Sequence, residues 1–104
     1  MKAKGYVLYN PLAGNGNAEE DAKLLQMVLD EELEFYDMTR ITNYAAFLSG
    51  MEKDDYLVIV GGDGTLNRFV NDTNGIDISQ EIFFFHPAAE MILQEILAQT
   101  EIPP

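Results

Sequence analysis

Apolar residues fall into two alternating rhythms along this chain. Short apolar runs rich in β-branched and aromatic residues, at residues 6–9, 56–60 and 82–85, read as buried strands. Between the first two, Ala22, Leu25, Val28, Leu29 and Leu33 recur at three- and four-residue spacings with acids on the opposite face, which predicts an amphipathic helix. Asn17 followed by Glu20 reads as its N-cap and capping partner. Residues 34–38 read as a second short strand, and residues 43–48 as a short helix carrying Ala46 and Phe47 and ended by Ser49-Gly50. A third helix is expected from Thr65, acting as a cap, to about Asp72, stopped by the turn dipeptide Asn74-Gly75. Pro87 then opens an expected last helix through Met91, Ile92, Ile96 and Leu97.

Strands that alternate with helices predict an α/β fold: a three-layer α/β/α arrangement around a parallel, four- or five-stranded, Rossmann-like sheet. With strand order 2-1-3-4, the loops after strands 1 and 3 face each other across the point where the order reverses. Ligands bind in such sheets at that point.

Composition narrows the functional classes. At 104 residues the chain reads as one domain without repeats or linkers, and 47% hydrophobic residues suffice for a core. The formal net charge is -12, and Lys2, Lys4, Lys23, Lys53, Arg40 and Arg68 are the six fixed cations. No basic stripe is available, so nucleic acid is an unsuitable partner. There is no cysteine, which removes disulfides and thiolate-bound metals and fits a reducing compartment. The sequence has no apolar run long enough for a transmembrane segment and no leader pattern, so the expectation is a cytoplasmic protein, peripheral to the membrane if its substrate is a lipid.

Two glycine-rich loops carry the chemistry. Val58-Ile59-Val60 breaks into Gly61-Gly62-Asp63-Gly64-Thr65, where missing Cβ atoms let successive amides approach a ligand, and a helix follows at once. A loop of that kind before a helix N-terminus favours phosphate. The earlier loop, from Asn10-Pro11 through Gly14 and Gly16 to Asn17, repeats the strand-to-small-residue design. As plain structure, the later loop is a tight turn, Asp63 a turn aspartate, and Asn10-Pro11 a strand terminator. Two such loops in one chain favour the ligand reading.

Asn10-Pro11-x-x-Gly14 after the first strand, together with Gly61-Gly62-Asp63-Gly64-Thr65-Leu66-Asn67 after the third, resembles the catalytic domain of diacylglycerol kinases and related bacterial lipid kinases over roughly residues 4–88. The resemblance implies transfer of the ATP γ-phosphoryl group to a lipid hydroxyl, with ATP and Mg2+ as cofactors. It implies that Gly61, Gly62, Asp63, Gly64, Thr65 and Asn67 line the triphosphate, that Asn10, Pro11 and Gly14 lie under the nucleotide, and that Thr39 contacts it. Asp63 is expected to orient magnesium or a water-bridged phosphate. Few cations are at hand, so phosphates must be held by backbone amides, helix N-termini and a divalent ion.

Departures from the family pattern set the alternatives. Arg68 stands where the family has glutamate, and the sequence enters a further nucleotide loop at His86-Pro87-Ala88 but leaves it at Ala89-Glu90. The β-rich second lobe of the family is missing, so the chain reads as a truncated nucleotide-binding domain, 1–104, without independent catalysis. One alternative is a non-enzymatic nucleotide-binding or self-association module, a homodimer formed through surface that the missing lobe leaves. Another is an NAD-kinase-like fragment, disfavoured by the Asn-Pro loop. The lone His86 receives no role, and the aromatic residues read as packing rather than an adenine box.

Overall fold

The structure, a computed structural model, describes residues 3–12, 18–86 and 92–96. In chain order the elements are β1 (Gly5–Tyr9), α1 (Ala18–Val28), β2 (Leu33–Asp37), a 3-10 turn (Met38–Arg40), α2 (Tyr44–Ser49), β3 (Tyr56–Val60), α3 (Asp63–Asp72), β4 (Glu81–His86) and β5 (Ile92–Ile96). They build one five-stranded sheet in the order β2-β1-β3-β4-β5. The first four strands are parallel, as expected from helices on the connections, and β5 runs antiparallel to β4.

Side-chain alternation along the strands divides the core into two layers. Val7, Val58, Val60 and Phe85 meet Ala22 and Leu25 of α1 on one face. Leu8, Leu57, Ile59, Ile82 and Phe84 meet Tyr44 and Leu48 of α2 and Phe69 of α3 on the other. The central strand β3 is sealed on both sides from Leu57 to Val60, which is why its sequence is continuously apolar rather than alternating. Each such side chain contributes about 1.5–3 kcal/mol by leaving water.

Polar groups fasten the ends of these elements. Asp55 is buried, and its two carboxylate oxygens accept from the Lys4 N-H at 3.0 Å and the Glu52 N-H at 2.8 Å, tying the entry of β1 to that of β3. Asn43 caps α2 by accepting from the Ala46 N-H at 3.1 Å. Gly75, with φ of 88°, supplies the backbone conformation that the turn after α3 demands.

Leu33, expected on the apolar face of the first helix, instead opens β2 beyond the end of α1 at Val28, and two further expectations need correction. The last helix is not found where it was expected: Ile92–Ile96 is a strand, and the flanking residues of that span lie outside the described residues. An Ile-Leu-x-x-Ile run is too short for its period to separate helix from strand. The open edge of β4 decides, because its unpaired backbone groups accept a fifth strand. The second correction is that α3 starts at Asp63, two residues before Thr65. The proposed Asn17 cap and both glycines of the first loop, Gly14 and Gly16, lie outside the described residues.

Candidate functional site

Three neighbouring strands end in register. Asp37 of β2 pairs with Tyr9 of β1, and Tyr9 pairs with Val60 of β3. The chain leaves β1 towards α1 on one face of the sheet, and leaves β3 towards α3 on the other. Loops that part in this way open a crevice over the carboxyl end of β1. Asn10 and Pro11 follow β1, Thr39 follows β2, and residues 61–65 follow β3, so these expected site residues share one rim.

The loop after β3 holds glycines with different duties. Gly61 adopts φ of 149°, and a Cβ there would lie 2.5 Å from the Thr65 Oγ1. Its N-H donates to the Phe85 carbonyl at 3.1 Å, so this amide is committed to the fold and does not turn towards a ligand as expected. Gly62 is the N-cap of α3 and has no side chain to offer; its carbonyl accepts from the Thr65 and Leu66 N-H groups at 3.1 and 3.2 Å. The N-H groups of Gly62, Asp63 and Gly64 have no acceptor among the described residues. They lie at the positive end of the helix dipole.

Gly64 is in ordinary helical backbone, and a Cβ there would meet nothing within 4 Å. Neither strain nor packing calls for glycine at that position. Asp63 and Asn67 are exposed one turn apart, and together with Gly64, Leu66 and Val70 they line a shallow depression along α3. Thr65 does not cap the helix as expected. It is 2% exposed, and its hydroxyl is buried beneath the loop without a hydrogen-bond partner among the described residues.

Beyond the other two strands the polar groups are more self-contained. Asn10 accepts from the Leu12 N-H at 2.9 Å and so closes its own turn over Pro11. Thr39 donates both its N-H and its hydroxyl to Asp37 Oδ1, at 2.9 and 2.6 Å, which leaves the hydroxyl oxygen as an acceptor only. Asp37 was not singled out by the sequence reading, although an acid ending the second strand after a glycine-rich first loop is a recognisable signal. Burial, then the nearby carboxylates of Glu19 and Asp37, raise the Tyr9 hydroxyl above its ordinary pKa. Arg68, in the unusual position after Asn67, pairs with Asp72 at 3.5 Å along α3. No cluster of metal-ligating side chains occurs among the described residues.

This rim, with its two strand-to-helix loops, lies inside a stretch recognised as a whole. Residues 4–83 match the model of the diacylglycerol kinase catalytic domain. The chain belongs to that family. Neither a curated protein nor a solved structure gives a significant match. Membership makes this a lipid-kinase-like domain of the ATP-using type, and the match runs from the approach to β1 into β4. No helix among the described residues of this diacylglycerol kinase domain is long and apolar enough to cross a membrane.

Proposed function

We propose that this chain is the nucleotide-binding lobe of a lipid kinase that transfers the ATP γ-phosphoryl group to a lipid hydroxyl, with the phosphates seated on the N-terminus of α3. The observation that carries the reading is Gly64. It costs helix stability of up to about 1 kcal/mol relative to alanine, and the fold gives nothing back for it, since the space beside it is empty. A ligand that must approach the backbone accounts for that space, and the unaccepted N-H groups of Gly62, Asp63 and Gly64 line it.

Both implied cofactors can be weighed against these residues. The α3 terminus fits a phosphate chain, and the buried, unpartnered Thr65 hydroxyl beneath it is a further polar group for a ligand or its water to satisfy. Magnesium fits in a secondary role, because Asp63 is the exposed carboxylate of the loop and the remaining ligands must come from phosphate and water. The ion supplies charge neutralisation during transfer. Asp63 would orient the metal-phosphate unit, while Asn10, Pro11 and Thr39 flank the nucleotide and Asn67 lies a turn further down α3. Gly14 belongs to the same proposal. On this reading the chain contributes nucleotide binding, and acceptor recognition and turnover require the β-rich lobe that the family adds.

Titration calorimetry with magnesium-ADP tests the proposal. The expected result is saturable binding that Gly64→Val abolishes without lowering the unfolding temperature of the free protein. At about a hundred times its dissociation constant the nucleotide should stabilise the fold by about 2.7 kcal/mol. Absence of binding at millimolar nucleotide would overturn the reading.

A further inference from the structure

We propose that Asp37 selects ribonucleotides at this site, its carboxylate accepting a hydrogen bond from a ribose hydroxyl. The inference rests on the phosphate seat at α3 and adds to it the position and chemistry of a residue at the far end of the same rim.

Position comes from the register. Asp37, Tyr9 and Val60 are direct neighbours on three adjacent strands, so Asp37 stands about 10 Å from the end of β3, at two strand spacings. The seven single bonds between a ribose 3′ oxygen and the β-phosphorus of a nucleotide advance about 8 Å when extended, at the reach per bond of a polypeptide chain. A nucleotide with its phosphates on α3 and its tail across β1 therefore brings its sugar to Asp37.

Orientation comes from Thr39. Its N-H and hydroxyl hold Oδ1 of Asp37 at 2.9 and 2.6 Å, which fixes the plane of the carboxylate. Oδ2 has a single charged neighbour among the described residues, the Arg40 Nε at 4.0 Å, on a side chain that is 86% exposed. That distance is beyond a hydrogen bond. The Asp37 side chain is only 25% exposed, so an oriented acceptor is held in a partly desolvated place with capacity left over.

Chemistry then chooses the partner. A carboxylate accepts and does not donate, so it suits a hydroxyl and repels a phosphate. The same charge that binds the sugar steers the phosphates to the other end of the crevice. Capping the 3-10 turn accounts for Oδ1 alone, and a neutral asparagine would do that equally well. The second oxygen makes no hydrogen bond within the turn, where its ion-pair contact is the exposed Arg40 at 4.0 Å.

The test is calorimetric titration of the whole chain with magnesium complexes of ATP, 2′-deoxyATP, 3′-deoxyATP and tripolyphosphate. ATP should bind about ten- to a hundredfold more tightly than at least one deoxy analogue, the loss expected for a hydrogen bond to a charged group. Asp37→Asn, which keeps the cap to Thr39 and hence the fold, should lower that ratio, because only the weaker hydrogen bond of a neutral amide remains, while tripolyphosphate binds no more weakly than before. Equal affinity of the natural chain for ATP and both deoxy analogues would overturn the role of Asp37 and leave the phosphate seat standing, as would a ratio that Asp37→Asn leaves unchanged. Failure of every triphosphate to bind would overturn both.

Discussion

Gly61 and Gly64, three residues apart in one loop, are glycines for opposite reasons. Gly61 has a left-handed φ and no room for a Cβ beside Thr65, so Gly61→Ala should cost about 1–3 kcal/mol of stability. Gly64 has helical backbone and open space, so Gly64→Ala should leave the free protein as stable or up to about 1 kcal/mol more so, and should weaken nucleotide binding. Urea unfolding of the two variants measures the contrast, and equal destabilisation by both would refute it. The tyrosines make a second prediction at this scale. A hydrogen bond to Glu34, then burial, pushes the Tyr36 hydroxyl up to about 12, and burial does the same for Tyr44. Burial followed by a hydrogen bond to Glu31 raises Tyr56 as well. Folded-state values above the ordinary 10 mean that the stabilisation is complete below pH 10 and is lost as pH rises towards 12. Circular dichroism should therefore record alkaline unfolding in that window. Tyr44 differs from the others because its buried hydroxyl has no hydrogen-bond partner among the described residues. Tyr44→Phe should raise the urea midpoint at pH 7, by about 1 kcal/mol in stability, and flatten the alkaline loss.

Short elements here are held by their ends and by their neighbours. Helix α2 has six residues, too few to persist alone, yet it presents Tyr44 and Leu48 to the sheet and sets Phe47 edge-on against Tyr6 and Tyr36. Asn43 is therefore a sensitive position. Asn43→Ala should lower stability by about 1 kcal/mol, seen as a lower urea midpoint with unchanged slope. Strands legible as elements were those whose signal is local: residues 56–60 match β3 to the residue, because a strand covered on both faces has nothing but apolar side chains to show. Helix α3 was displaced by two residues because Thr65 looks like a cap, whereas the backbone turns at Gly62 and draws the threonine under the loop. β5 departs from the expected helix for a different reason, since its conformation is dictated by the hydrogen-bonding edge of β4 rather than by its own residues.

At the scale of the whole molecule, a charge of -12 on 104 residues shapes both stability and binding. Self-repulsion of this size is screened by salt, so the unfolding temperature should rise between about 10 mM and 1 M sodium chloride, where the screening length falls from about 30 to 3 Å. The same field opposes a free nucleotide anion. Binding of ADP should require a divalent ion, and a chelator should remove the nucleotide-dependent rise in unfolding temperature at constant ionic strength. Retention of that shift in the chelator would mean that backbone amides and the α3 dipole suffice unaided.

The sequence by itself determined the alternation of strands and helices and the parallel four-stranded core of the sheet, through its apolar pattern, and the two loops that identify the family, through their glycines, because each of these is written in neighbouring residues. What only the tertiary structure decided were relations between distant ones. The Phe85 carbonyl takes the Gly61 amide away from any ligand, the edge of β4 turns residues 92–96 into a strand, and the register of β2 on β1 brings Asp37 to the rim. A hydrogen bond to a residue far along the chain leaves no periodicity at either end, so such pairings become visible only once the sheet is assembled.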